Sequence, residues 1–140
     1  MLLGAGYVAT LIAIAFWPTP IDRPITGALS KSIDLLHRRG LPNFIGYKDI
    51  EFMANVLLFI PVGGIIATWN NNLGRTIVFA TYASLSIELV QELTLPQRFA
   101  TVMDIVANTI GAAIGGVVFP TLLAWRSQWR MQKVREISND

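Results

Sequence analysis

"FMANVLLFIPVGGIIATW" (Phe52 to Trp69) contains no charged residue and only two polar ones, Asn55 and Thr68. As a helix it would rise about 27 Å at the usual 1.5 Å per residue, close to the hydrocarbon thickness of a bilayer. It closes on Trp69, an aromatic of the kind enriched at membrane–water interfaces. Pro61, followed by Gly63 and Gly64, predicts a kink, which a membrane helix tolerates when neighbours satisfy the freed carbonyl. The segment reads as a transmembrane span.

Working outward, three further apolar blocks appear. Thr76 to about Leu95 follows the short turn "NNNLGR", and Val102 to Trp125 follows the polar connection "TLPQRFAT". The first block, Leu2 to Trp17, is slightly short for a span and ends at Pro18 and Pro20. Its "AIA" (Ala13 to Ala15) resembles a signal-peptide cleavage site, but no positive region precedes the apolar run, so a retained first helix is expected. Between the first two blocks, residues 19–49 are too polar to cross. Ile25, Leu29, Ile33 and Leu36 share a helical face there, which predicts an amphipathic helix lying in the interface, stopped by Gly40 and Pro42. A solvated loop with a single helical turn is the alternative.

Composition agrees with a membrane protein. The 140 residues are 53% hydrophobic and only 14% charged, against about 25% charged for soluble domains. Mean hydropathy is +0.51. The expected fold is therefore all-α: one domain over residues 1–140, forming a bundle of four transmembrane helices. Their bounds are about 2–17, 52–69, 76–95 and 102–125, with an interfacial segment at 19–49 and a basic tail at 126–140.

The chain has no cysteine and a single histidine, His37. That leaves no thiolate nucleophile, no disulfide framework and no His- or Cys-based zinc site. No cofactor and no metal are expected. The isoelectric point is near 9.3, but the net charge is only +2 and the cations are dispersed. No nucleic-acid footprint results.

Orientation follows from Lys and Arg near span ends. Arg75 and the tail residues Arg126, Arg130, Lys133 and Arg135 lie on one side; Arg23, Lys31, Arg38, Arg39, Lys48 and Arg98 lie on the other. The second group is interspersed with Asp22, Asp34, Asp49 and Glu51, whereas the tail is a compact cluster suited to an anionic inner leaflet. Both termini are therefore expected in the cytoplasm.

The polar residues inside the spans then fall at one depth. Asn55 starts the second span, "SIELVQ" places Glu88 and Gln91 near the end of the third, and Asp104 and Asn108 open the fourth. Glu51 with Asn55, Glu88 with Gln91, and Asp104 with Asn108 each share a helix face. Antiparallel neighbours bring these groups into one layer, with Asn55, Glu88 and Asn108 roughly 5–12 Å from the same membrane surface. Ionisable groups inside a membrane are costly and mark functional sites by default. The bland reading keeps Asn55 and Asn108 as interhelical glue, pairs Arg98 with Glu88 or Asp104, and makes Glu51 and Glu92 boundary markers. On the fourth span, Gly111 and Gly115 form a small-xxx-small pattern, a close-packing face for another helix or a second copy.

These blocks also carry a resemblance. "NVLLFIPVGG", "SIELVQ" and the R-x5-D-x3-N-x2-G spacing of Arg98, Asp104, Asn108 and Gly111 resemble the signatures of the VanZ-like family, over Glu51 to about Gly116. The resemblance implies a four-helix integral protein of the bacterial cytoplasmic membrane, and its founding member is associated with teicoplanin resistance. Carried over by position, the binding residues are Asn55, Glu88, Gln91, Arg98, Asp104 and Asn108. One departure stands out: many relatives carry "R-x-x-D-x-D-D", where this chain has "RFATVMD" with Thr101 and Met103. Hard cations want clustered carboxylates, so this change argues against a metal.

The expectation is an outward-facing polar pocket that binds a membrane lipid headgroup, a lipid-linked envelope precursor or a glycopeptide. Arg98 suits phosphate or carboxylate recognition, and Glu88 and Asp104 suit hydroxyls or amines. Two alternatives remain open. One is a membrane-embedded enzyme acting on a lipid headgroup, with Glu88 or Asp104 as general base. The other is an assembly factor that uses the glycine face.

Overall fold

A computed structural model describes residues 2–16, 26–40, 42, 45–95 and 101–139. Five helices follow one another: α1 Leu2–Ala15, α2 Thr26–Arg38, α3 Tyr47–Asn70, α4 Leu73–Thr94 and α5 Val102–Asn139. Three of them, α3, α4 and α5, are long and apolar enough to cross a membrane. At 14 residues, α1 rises only about 21 Å, so it is the short member of the expected four.

Local chemistry places the ends. α3 begins five residues earlier than the apolar run, because the Asp49 carboxylate turns back to accept the Gly46 N–H at 2.8 Å. It ends on Asn71, whose left-handed backbone (φ 45°) lets its N–H return to the Ala67 carbonyl. One residue later, Asn72 caps α4 by accepting the Arg75 N–H at 3.0 Å. α2 stops at Gly40, as its position predicts, with φ +106°. The His37 ring then reaches the Ile45 carbonyl at 2.9 Å. Of the expected apolar face of α2, Ile33 is buried and Leu36 is exposed. Ile25 lies outside the described residues, and so do the rest of 17–25, residues 41, 43 and 44, and the connection 96–100.

The largest departure from expectation is at the C-terminus. Rather than ending near Trp125, α5 continues without interruption to Asn139. Beyond Pro120 the segment holds no proline or glycine, and Arg, Gln, Lys, Met and Glu are good helix formers. Pro61 and Pro120 both lie inside unbroken helices.

The core is the α3–α5 contact. A Cβ on Gly63 would collide with the Ala112 carbonyl, one on Gly111 with that of Val56, and one on Gly115 with that of Ile60. The two backbones therefore touch, and the progression from Val56 with Gly111 through Ile60 with Gly115 to Gly64 with Phe119 shows that α3 and α5 run parallel; α4, which places Ser84 on Asn108 and Thr76 on Gly116, is antiparallel to both. The close packing that Gly111 and Gly115 permit is thus made within the chain. In lipid no hydrophobic force draws helices together, so this backbone-to-backbone contact carries much of the cohesion.

α4 shows the consequence of a lipid solvent. Its buried stripe is Thr76, Ala80, Ser84, Glu88 and Gln91, while Phe79, Tyr82, Leu85, Leu89 and Leu93 face outward. Small and polar side chains lie inside and large apolar ones outside. A water-soluble bundle has the opposite arrangement.

Candidate functional site

The polar side chains gather where α1 ends, α3 begins, α4 ends and α5 begins. Glu88 and Gln91 are each 6% exposed and Asn108 is 5% exposed, so all three face into the bundle rather than outward. Their inward aim is set by the i, i+4, i+7 spacing of Ser84, Glu88 and Gln91 on the buried face of α4.

Three hydrogen-bonded groups compose the layer. In the first, Asn55 Nδ2 donates to Asp104 Oδ1 at 2.7 Å, and Thr101 Oγ1 donates to Asp104 Oδ2 at 2.6 Å. The Asp104 N–H in turn reaches Thr101 Oγ1 at 3.2 Å. Thr101 and Asp104 thereby cap the start of α5, and Asn55 ties that cap to α3. Each oxygen of Asp104 already holds a donor.

In the second group, Gln91 Nε2 donates to the Ala15 carbonyl at 2.7 Å. That carbonyl belongs to the last turn of α1 and has no helical donor of its own. Gln91 therefore fastens the short helix to the bundle, helped at its other end by the Tyr7 hydroxyl on the Leu58 carbonyl.

The third group is Asn108 Nδ2 donating to Ser84 Oγ at 2.9 Å. The other polar atom of this amide, Oδ1, is buried and has no hydrogen-bond partner among the described residues. One helical turn along α4 from Ser84 lies Glu88. Deeper in the bundle, Thr81 and Thr109 hydroxyls meet at 3.1 Å.

Asn55 and Asp104 are thus in direct contact, and Asn108 reaches α4 beside Glu88. Arg98 lies outside the described residues. Several participants were not anticipated: Thr101, Ser84, and the Ala15 carbonyl. Thr101 carried a readable signal, since a threonine three residues before an acidic residue at a helix start is a capping box. Ser84 also shares the face of Glu88 by simple i, i+4 spacing. Nothing in the sequence around Ala15 announced its role. Among the described residues, no three His, Asp or Glu side chains converge as metal ligands would.

The outside of α3 carries a shallow apolar groove lined by Ile45, Asp49, Ile50, Met53, Ala54 and Leu57. Its residues fall on a different face of α3 from the inward-packed Val56 and Phe59.

Apolar helices closed around a buried layer of amide, carboxylate and hydroxyl groups define a small polytopic membrane protein. The VanZ/LLP1 family model matches residues 5–124, most of the chain, and the protein belongs to that family. No curated protein and no solved structure gives a match.

Proposed function

We propose that the layer formed by Asn55, Glu88, Gln91, Asp104 and Asn108 binds the polar headgroup of a membrane lipid or lipid-linked envelope precursor, with Arg98 as the further binding residue that the family resemblance adds. The observation that carries this reading is the Asn108 amide. A buried acceptor left without a donor costs about 1–3 kcal/mol, and a bound group with an O–H or N–H removes that penalty. Glu88, one helical turn from Ser84 in the same stripe, places a carboxyl group beside that amide. The ligand class is therefore a headgroup rich in hydroxyl or amino donors, a sugar or an amino-alcohol, with its acyl part in the surrounding lipid. With the tail of α5 in the cytoplasm, the layer faces the outer surface.

Asp104, Asn55 and Gln91 act in this reading mainly as positioning residues, because each already ties two helices together. Native mass spectrometry of the gently extracted protein tests it. A lipid adduct retained by the unaltered protein should be weakened by Glu88→Gln and by Asn108→Leu, in protein that remains folded. Adducts that are equal in all three would remove the assignment.

The family resemblance adds a cellular consequence. Expression in a susceptible Gram-positive host should raise tolerance to teicoplanin, whose lipid chain enters the bilayer, more than to vancomycin. An unchanged response to both, at verified expression, would end the antibiotic part of the proposal and leave headgroup binding standing.

A further inference from the structure

The end of α5 does more than leave the membrane. Gly116 packs against Leu73 and Thr76 at the start of α4, so the neighbouring helices run out within a few residues of Pro120. From Trp125 onward the helix continues for about 20 Å, and every residue from Trp125 to Lys133 is exposed. An isolated helix of this length is marginal in water, so its persistence calls for an external contact.

Its surface indicates which. Arg126, Arg130 and Lys133 are spaced i, i+4, i+7 and form one stripe. Beside them, Trp125 and Trp129 form a second stripe, their rings edge to face with centroids 5.8 Å apart. Both tryptophans are more than half exposed, and Ser127, Gln128 and Met131 occupy the far side. No acidic residue occurs between Ile105 and Arg135. We propose that this segment of α5 is a docking helix for anionic phospholipid headgroups, holding phosphates on the Arg126–Arg130–Lys133 stripe while the Trp125–Trp129 pair sits at the hydrocarbon boundary.

Position favours a membrane over a soluble polyanion, because the segment emerges directly from a span and its first turns lie at headgroup depth. Charge disfavours a second copy, since the same stripe would face itself. Pro120 lacks the N–H that would hold the Gly116 carbonyl, which gives the distal helix a place to lean toward the surface.

The test uses the full chain with Trp17→Phe and Trp69→Phe, so that emission reports only Trp125 and Trp129. It is reconstituted in phosphatidylcholine vesicles with or without phosphatidylglycerol. Acrylamide quenching should fall about two-fold when the anionic lipid is present, and the protection should disappear at high salt. Arg126→Gln, Arg130→Gln and Lys133→Gln together should abolish the lipid dependence. Equal quenching in both lipids, or protection that survives the triple substitution or high salt, would overturn the proposal. Protection in neutral vesicles by added RNA or polyglutamate, with none from phosphatidylglycerol, would overturn it too and assign the face to a soluble polyanion. Should the triple variant lose its helix by circular dichroism, the lipid and salt comparisons on the unaltered tail decide alone.

Discussion

At the scale of single residues, the polar layer divides into tethers and acceptors. Asp104 holds a donor on each carboxylate oxygen, from Asn55 and from Thr101. Replacing it with alanine leaves two donors without acceptors and removes the cap of α5. Stability in detergent should fall by about 2 kcal/mol, read from the unfolding midpoint. Glu88→Gln conserves shape and most hydrogen-bonding capacity, so its stability change should stay below about 1 kcal/mol while ligand retention drops. If Glu88→Gln proves as destabilising as Asp104→Ala, the carboxylate is a structural member and the distinction fails. Gln91 illustrates how a site-like residue acquires a second duty: its amide saturates a carbonyl at the end of α1, where no backbone donor remains.

At the scale of elements, the decisive contact is α3 on α5. Gly115→Leu would drive a side chain into the Ile60 carbonyl, and backbone cannot yield as a flexible side chain does. The expected loss is about 3 kcal/mol or more, seen as early unfolding or protease sensitivity in the extracted protein. Gly6→Ala on α1 is the control, because nothing lies within 4 Å of the added carbon; it should leave stability unchanged or slightly raised. Equal tolerance of both substitutions would show that α3 and α5 are not in backbone contact. This experiment also separates packing from assembly, since the Gly111–Gly115 face is already covered by α3 of the same chain.

At the scale of the whole molecule, the question is which end of the bundle faces which compartment. The layer and helix α2 lie at one end, and the turn Asn70–Asn72 and the extended α5 lie at the other. Asp34→Cys on α2 and Gln132→Cys on α5 are both exposed positions. A membrane-impermeant thiol reagent should label them from opposite sides of the membrane. Labelling from a single side would mean that the number of crossings is even where this fold requires an odd number between those residues.

Much of this architecture was legible in one dimension. The length and apolarity of each block follow from the thickness of the hydrocarbon layer, so α3, α4 and α5 could be placed from composition alone. Depth was legible too, because rise per residue converts sequence distance from a span end into position across the membrane. That is why Asn55, Gln91, Asp104, Asn108 and Glu88 could be assigned to one end of the bundle. Helix ends were less so: the apolar run marks where a helix enters hydrocarbon, whereas caps such as Asp49 on Gly46 decide where it starts. The same limit hid the extent of α5, whose polar continuation looks like a tail to a hydropathy reading. What only the tertiary structure decided is the choice of partners. Asn55 meets Asp104 across 49 residues and Gln91 meets Ala15 across 76, contacts that depend on how each helix is rotated about its axis. That rotation is set by the glycines that let α3 and α5 touch, and close packing is a property of two surfaces together, which neither sequence segment carries by itself.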